Sequence, residues 1–356
     1  MLWKEAALAV AGFAVALALS ELAVRSLPQT ALGFRYEGDV FYRPTEFEAH
    51  FDFNRFVSHD IEYGPKPTGT RRVLLLGDSF VQGLSVEIPE TLPRQLFDQL
   101  ERRAPGVYDV VALAGAGFGP REERNLLARH GGELEPDFVI NVFFGENDVI
   151  VGSPELVRER RAQLQALARE TEPNMFRIHA DDARVFFVRT SHLNRWISHR
   201  LTLANLRRER EEIPTDYAVW NTAPSTAWEE AWSALASHYL ATRQLAASLG
   251  ADYGVVAATS VWSIRGEAGL EELMAVYPSM RNHSWDLDLA EERLATWCRE
   301  NEIPFLALLA EFRRESPESW RRFHWRYDGH WNAAGNTFAG SRIAEFIVAV
   351  DAGRSR

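Results

Sequence analysis

The chain has 356 residues, of which 46% are hydrophobic and 25% are charged, a composition typical of globular and not of disordered proteins. A formal net charge of −11 argues against a nucleic-acid-binding surface, because such a surface needs a basic face. Cys298 is the only cysteine, so neither an intrachain disulfide nor a cysteine-based zinc site can form.

The N-terminal segment is apolar from Ala6 to Val24 except for Ser20 and Glu21. A helix of this length spans roughly 28 Å, close to the thickness of the bilayer core. The segment therefore predicts a single-pass membrane anchor over residues 1–26, with Glu21 and Arg25 spaced to pair near one membrane face. A cleaved signal peptide and a buried core helix stay open as alternatives. With the anchor, we expect the rest of the chain on the extracytoplasmic, periplasmic side.

Residues 27–70 read as an extended approach segment, since prolines and glycines recur in it. Aromatic residues such as Phe34, Tyr36 and Phe41 indicate that it packs on the main domain and is not a free linker.

From Arg71 onward, short apolar runs alternate with amphipathic stretches. The runs predict strands over Val73–Leu76, Asp109–Leu113, Phe138–Phe144, Val255–Ala258 and Phe305–Leu309. The amphipathic stretches predict helices over Thr91–Arg102, Arg121–His130, Glu155–Arg169, Ala227–Leu249, Leu287–Glu300 and Ala333–Val350. Such alternation predicts an α/β domain over residues 71–350, with a parallel sheet covered on both faces. Residues 171–226 break the rhythm and read as an insertion or cap.

Ser79 lies where the first of these strands ends, after a turn at Gly77-Asp78. In open α/β sheets, ligands bind in the crevice beyond the carboxyl ends of the strands. Ser79 is therefore a candidate nucleophile, although Gly-Asp-Ser also occurs as a plain turn.

The next two strand ends carry candidate hydrogen-bond donors. Gly115 and Gly117 follow the second strand, and Asn147 follows the third within Gly145-Glu-Asn-Asp148. Acyl transfer needs a hydroxyl nucleophile and donors aimed at the developing oxyanion. A glycine N–H and an asparagine amide could supply those donors, whereas a turn glycine and a helix cap are the structural alternatives.

A candidate base lies near the end of the chain, in the loop before the last helix. A serine nucleophile needs an imidazole to take its proton, and the imidazole needs a carboxylate to hold its tautomer. His330 and Asp328 can supply both groups, although a helix-capping loop with Asn332 as the cap would also explain this loop.

Together these motifs resemble the SGNH, or GDSL-type, hydrolase superfamily. The resemblance is carried by Gly77-Asp-Ser-Phe80, the glycine turn, Gly145-Glu-Asn-Asp148 and Asp328-Gly-His-Trp-Asn-Ala-Ala-Gly335, which occur in family order. It implies a flavodoxin-like three-layer α/β/α fold and esterase chemistry without a metal or organic cofactor.

The resemblance also implies the roles of individual residues. Ser79 would be the nucleophile, His330 the general base and Asp328 its orienting acid. The oxyanion hole would consist of the Ser79 N–H, the Gly117 N–H and the Asn147 amide. One departure concerns Asp328, which lies two residues before the histidine, whereas the commonest family pattern has three.

We therefore expect a serine esterase acting on an acyl ester, such as an acetyl ester of a cell-envelope glycan. An O-acyltransferase with the same site and a non-catalytic glycan-binding or assembly protein are the alternatives. Asp286 and Asp288 could suggest a metal pair, but their position before a predicted helix favours a cap.

Overall fold

The computed structural model describes residues 2–26, 34–37, 41–44, 49–171, 193, 196–197, 210–316, 318–325 and 328–354. The chain divides into two compact units, Met1–Glu48 with Leu164–Arg208 and Ala49–Gln163 with Glu209–Arg356. The predicted domain boundaries at residues 26 and 70 stay predictions, but residues 49–70 belong to the second unit.

The first unit contains one long helix and one antiparallel strand pair. These are α1 (Leu2–Arg25), β1 (Phe34–Glu37) and β2 (Phe41–Pro44). The predicted pairing of Glu21 with Arg25 is confirmed, with 2.9 Å between Arg25 Nε and Glu21 Oε1.

The membrane anchor predicted for residues 1–26 is not supported. Among the described residues, no helix combines the length and the apolar character that crossing a membrane requires.

The second unit is built on a five-stranded sheet in which every pairing is parallel. The strands are β3 (Arg71–Gly77), β4 (Tyr108–Ala114), β5 (Phe138–Phe143), β6 (Asp252–Ala257) and β7 (Phe305–Ala307). Their order across the sheet is β4-β3-β5-β6-β7. This is the flavodoxin-like arrangement, with the first strand between the second and the third. The predicted parallel α/β sheet is therefore confirmed.

Helices connect these strands and follow the last of them. They are α2 (Ser79–Gln82), α3 (Leu92–Arg103), α4 (Pro120–Leu134), α5 (Gly145–Asp148), α6 (Pro154–Thr171), α7 (Thr226–Ser248), α8 (Val261–Arg265), α9 (Glu267–Val276), α10 (Leu289–Glu300), α11 (Leu308–Glu315), α12 (Trp320–Phe323) and α13 (Ala333–Arg354). The six long helices predicted from periodicity are all present, with ends shifted by up to four residues.

The core has two halves, one on each face of the sheet, because successive strand residues point to opposite faces. Leu74 and Leu76 of β3 pack in one cluster with residues of α4, α7 and α10. Val73 and Leu75 pack in the other with residues of α3, α11 and α13. The fold is thus the predicted three-layer α/β/α sandwich.

The end of one predicted strand is wrong. The last strand ends at Ala307, because Leu308 already begins α11 and its side chain enters the core. The insertion over residues 171–226 stays a prediction; within it, Trp220 is 2% exposed and packs in the core of the second unit. The rest of that insertion lies largely outside the described residues.

The approach segment packs on the sheet as predicted, at least from residue 49 onward. The Ser58 hydroxyl donates to the carbonyl of Ala112 at 2.9 Å, and the backbone N–H of Ala112 donates to the Tyr63 hydroxyl at 2.9 Å. Edge strand β4 is therefore covered by this loop, which satisfies backbone groups that the sheet leaves unpaired.

Packing of α13 on α3 depends on Gly340. A Cβ at this position would lie 2.9 Å from the backbone nitrogen of Leu96. We expect Gly340→Ala to lower the free energy of unfolding by about 1–3 kcal/mol, as overpacking does. Gly132→Ala is the control, since Gly132 is a helical glycine with open space around it, and it should be neutral or stabilising. Urea denaturation measures both, and equal effects of the two substitutions would contradict the packing argument.

Candidate active site

Ser79 lies at the first position of α2, directly beyond the end of β3. Asp78 caps this helix, and its Oδ1 accepts the N–H of Phe80 at 2.9 Å. A Cβ at Gly77 would lie 2.4 Å from Cγ2 of Val81, so the sharp turn from strand to helix requires glycine there. The turn holds the Ser79 hydroxyl at the carboxyl edge of the sheet.

The loop before α13 brings His330 and Asp328 to this serine. His330 Nε2 lies 2.7 Å from Ser79 Oγ, and His330 Nδ1 lies 2.7 Å from Asp328 Oδ1. The same carboxylate oxygen accepts the backbone N–H of His330 at 3.2 Å. Gly329 between them has a φ of 82°, a conformation that favours glycine. The three side chains form one continuous hydrogen-bonded chain.

Aromatic packing anchors the histidine loop. Trp331 is 2% exposed and stacks on Phe312, with ring centroids 5.9 Å apart. The ring of Phe80, next to the serine, lies 4.9 Å from the rings of both Trp331 and His330. Trp331 therefore serves as a core anchor.

Asn147 lies in the short helix α5 and is nearly buried. Its Nδ2 donates to Asp78 Oδ2 at 2.8 Å, which ties the third strand end to the turn that carries the serine. An amide nitrogen carries two hydrogens, so the second can be donated to a ligand. The capping interpretation of Asn147 is wrong, since the cap position of α5 is Phe144.

The glycine turn after β4 distinguishes its two candidate donors. The N–H of Gly115 donates to the carbonyl of Gly77 at 3.3 Å, which extends the pairing of the two strands. Gly117 is exposed, has a φ of 72° and occupies a tight turn closed by the N–H of Phe118 on the carbonyl of Gly115. The Gly115 N–H is therefore engaged, and Gly117 stays the predicted oxyanion donor.

Two opposing effects act on the pKa of His330. Burial disfavours the imidazolium, but the hydrogen bond and charge of Asp328, together with the charges of Asp78 and Glu146, outweigh it. The pKa of His330 is therefore raised above its ordinary value of 6.5. A histidine of this kind is a stronger base toward the Ser79 proton.

Sequence reasoning missed a group of buried acids beneath the site. Burial, and after it the charge of Asp78, raises the pKa of Glu123 to about 8, while burial and the charge of Glu123 raise the pKa of Asp148 well above its usual range. Glu123 accepts a hydrogen bond from Asn141 on β5, and Asp148 accepts the N–H of Phe144 at 2.8 Å. Asp148 was visible in the motif, but its burial was not, and Glu123 resembled any other polar residue of an amphipathic helix.

The pair Asp286 and Asp288 has a structural explanation. Asp286 Oδ1 accepts the N–H of Asp288 at 3.0 Å, and Asp288 pairs with Arg313 and stands at the cap position of α10. In the part of the chain that the structure describes, no group of three or more histidine, cysteine or acidic side chains could hold a metal ion.

No family model and no curated protein matches this sequence. Among solved structures, the chain is similar to a putative lipolytic protein of the G-D-S-L family from Desulfitobacterium hafniense, at 10% identity over 78% of this chain and 99% of that one, with a TM-score of 0.41. It is also similar to the acetyl xylan esterase AlAXEase, at 12% identity over 77% and 98% of the chains, with a TM-score of 0.43. A third is an acetylxylan esterase from Geobacillus stearothermophilus, at 15% identity over 78% and 95%, with a TM-score of 0.40. Because these TM-scores lie below 0.5, the geometry of the site itself carries the functional argument.

The raised pKa of Glu123 predicts a pH-dependent stability. Its pKa is about 8 when folded and 4.5 when unfolded, so the folded state binds the proton more tightly and loses stability as pH rises through this window. We expect Glu123→Gln, which cannot ionise, to gain stability relative to the parent protein between pH 5 and pH 9. Thermal unfolding at both pH values measures this, with the more exposed Glu122→Gln as control. If the stability of Glu123→Gln relative to the parent protein is the same at pH 5 and pH 9, Glu123 does not hold a proton that it loses between these pH values.

Proposed function

We propose that the protein is a serine esterase of the SGNH type, which hydrolyses an acyl ester through an acyl-enzyme intermediate. The observation that carries this proposal is the continuous hydrogen-bonded chain of Ser79, His330 and Asp328. Hydrolysis by this arrangement requires a nucleophile, a base and an orienting acid within hydrogen-bond reach of one another. All three lie at the edge of the sheet where α/β proteins bind ligands.

In the first step, Ser79 Oγ attacks the ester carbonyl carbon while its proton passes to His330 Nε2. Asp328 keeps Nδ1 protonated, so that Nε2 is free to accept, and it stabilises the imidazolium that forms. The carbonyl oxygen gains the negative charge and accepts hydrogen bonds from the Ser79 N–H, the Gly117 N–H and the Asn147 amide.

In the second step, the tetrahedral intermediate collapses and the bond to the alcohol oxygen breaks. The proton on His330 Nε2 passes to this oxygen, and the alcohol leaves an acyl group on Ser79. A water molecule then gives its proton to His330 and attacks the acyl carbon. Collapse returns the proton to Ser79 Oγ and releases the carboxylic acid.

For the substrate, we propose a short acyl ester, with an acetyl ester of a cell-envelope glycan as its physiological form. This choice rests on the extracytoplasmic location, which stays a prediction. A sugar hydroxyl in place of water as acceptor would make the same site an O-acyltransferase. Product analysis with an acyl donor and free glycans present distinguishes these outcomes.

The nucleophile is tested by Ser79→Ala. We expect loss of ester hydrolysis by at least about 10³-fold and loss of labelling by a fluorophosphonate probe, with unchanged thermal unfolding. Ser237→Ala is the control, because Ser237 is an exposed serine on α7 and should keep both labelling and activity. The proposed reaction is ruled out if labelling does not depend on Ser79. It is also ruled out if the protein hydrolyses no ester, from acetyl to long acyl chains. Loss of labelling in Ser79→Ala would also eliminate a purely glycan-binding role.

The base is tested by the pH profile of kcat/KM. Only neutral His330 can accept the serine proton, so activity should rise with pH, with a midpoint above 6.5 because Asp328 and its acidic neighbours raise the pKa. Asp328→Asn should lower kcat by about 10⁴-fold, as loss of the orienting carboxylate does in serine proteases. It should also move the midpoint to lower pH.

The matched control is Asp98→Asn, an exposed aspartate on α3 that should leave the profile unchanged. A midpoint that stays in place in Asp328→Asn would show that Asp328 is not the partner of the base.

A further inference from the structure

A small pocket lies beside the proposed catalytic residues, between the ends of β5 and β6. Its volume is about 280 Å³, including the part open to solvent. We call it the acid pocket, and its wall includes Phe144, Glu146, Trp220, Ser260, Leu287 and Glu291. Phe144 and Glu146 lie just before Asn147, the proposed oxyanion donor, in the chain. The proposed mechanism uses none of the carboxyl groups in this wall.

Two carboxyl groups face this pocket, and neither forms an ion pair with a cation in the part of the chain that the structure describes. The neighbouring cations are committed elsewhere, since Arg160 pairs with Asp216 at 2.7 Å and Arg313 with Asp288 at 2.6 Å. Burial raises the pKa of Glu146 to about 7 and that of Glu291 to about 8. Near neutral pH the pair therefore retains protons and can both donate and accept hydrogen bonds.

One carboxyl oxygen in the pocket lacks a partner. Glu146 forms a hydrogen bond with Ser260, but its Oε1 is buried and has no hydrogen-bond partner among the described residues. Leaving a buried polar atom unpaired costs about 1–3 kcal/mol. A ligand group that bonds this oxygen would recover that free energy.

The size of the pocket limits what this group can be. The enclosed part of the pocket has room for about one water-sized group. A hydroxyl group fits this space, whereas a sugar ring does not. A negatively charged group would meet two acids and, among the described residues of the pocket wall, no cation.

We propose that the acid pocket binds one hydroxyl group of the substrate's alcohol part, between Glu146 and Glu291, so that the site selects uncharged, polyhydroxylated alcohols. This inference rests on the proposed esterase function and narrows its substrate class. Glu146 and Glu291 act as specificity determinants and not as catalytic residues. The hydroxyl group forms the hydrogen bond that Glu146 Oε1 otherwise lacks.

The test compares two acetyl esters, an O-acetylated methyl glycoside and 4-nitrophenyl acetate, whose alcohol part has no hydroxyl group for the pocket. We expect Glu291→Leu to lower the ratio of their kcat/KM values by about tenfold, mainly through KM of the glycoside. Glu291→Gln should restore the ratio to within about twofold, because an amide also donates and accepts hydrogen bonds. Glu300→Leu, at an exposed position on the same helix, is the control and should leave the ratio unchanged.

The inference is overturned if Glu291→Leu leaves the ratio unchanged, or if Glu291→Gln lowers it as much as Glu291→Leu does. A parallel fall of both activities would also overturn it, because that result indicates a structural role. An acetylated amino sugar with a free ammonium group and an acetylated uronic acid complete the substrate set. Preference for the ammonium ester by more than about tenfold would identify a cation site instead.

A binding measurement separates this inference from the proposed function. Calorimetry on Ser79→Ala gives the dissociation constant of the acetylated glycoside without any turnover. We expect Glu291→Leu in that background to weaken binding by about tenfold. If no ester is hydrolysed but this weakening is found, the esterase proposal fails and the hydroxyl pocket stands. If hydrolysis depends on Ser79 but binding does not depend on Glu291, only the pocket fails.

Discussion

The hydrogen bond between Ser79 Oγ and His330 Nε2 joins two groups that lie 251 residues apart in the chain. Its 2.7 Å length depends on packing at both ends, because a serine at a strand end and a histidine on a loop have no local reason to meet. Phe80 follows the serine and Trp331 follows the histidine, and their rings are in contact. The residues next to the reactive groups therefore bury apolar area together, and this burial holds the polar pair in place.

The order of the strands explains why the other candidate groups converge on the same point. The chain starts in the middle of the sheet with β3, adds β4 on one side and then crosses to add β5 on the other. The carboxyl ends of these three strands are neighbours, so Ser79, Gly117 and Asn147 lie on adjacent turns. The bond from Asn147 to Asp78 then closes the arrangement across two of these turns. A ligand crevice at such a switch point is a general consequence of this topology.

Buried acidic side chains lie near the candidate active site, and their burial lowers the stability of the fold. Glu123 and Asp148 lie beneath the oxyanion turn, and Glu146 and Glu291 line the acid pocket beside it. Burial raises the pKa of each of these groups, so they contribute less stability as the pH rises. Asp328, and to a smaller extent Asp78 and Glu146, favour the imidazolium of His330.

Much of the fold and of the candidate site could be predicted from the sequence, because the sequence signals concerned are local. Period and composition determined the parallel α/β class and the helices, and short motifs at strand ends singled out Ser79, Asn147, Asp328 and His330. The apolar length of the N-terminal segment favoured a membrane anchor, which the described residues do not support. The engagement of the Gly115 N–H, the burial of Glu123 and the acid pocket needed the tertiary structure. They depend on which surfaces pack together, and burial, hydrogen-bond engagement and pKa arise from neighbours that are distant in the chain.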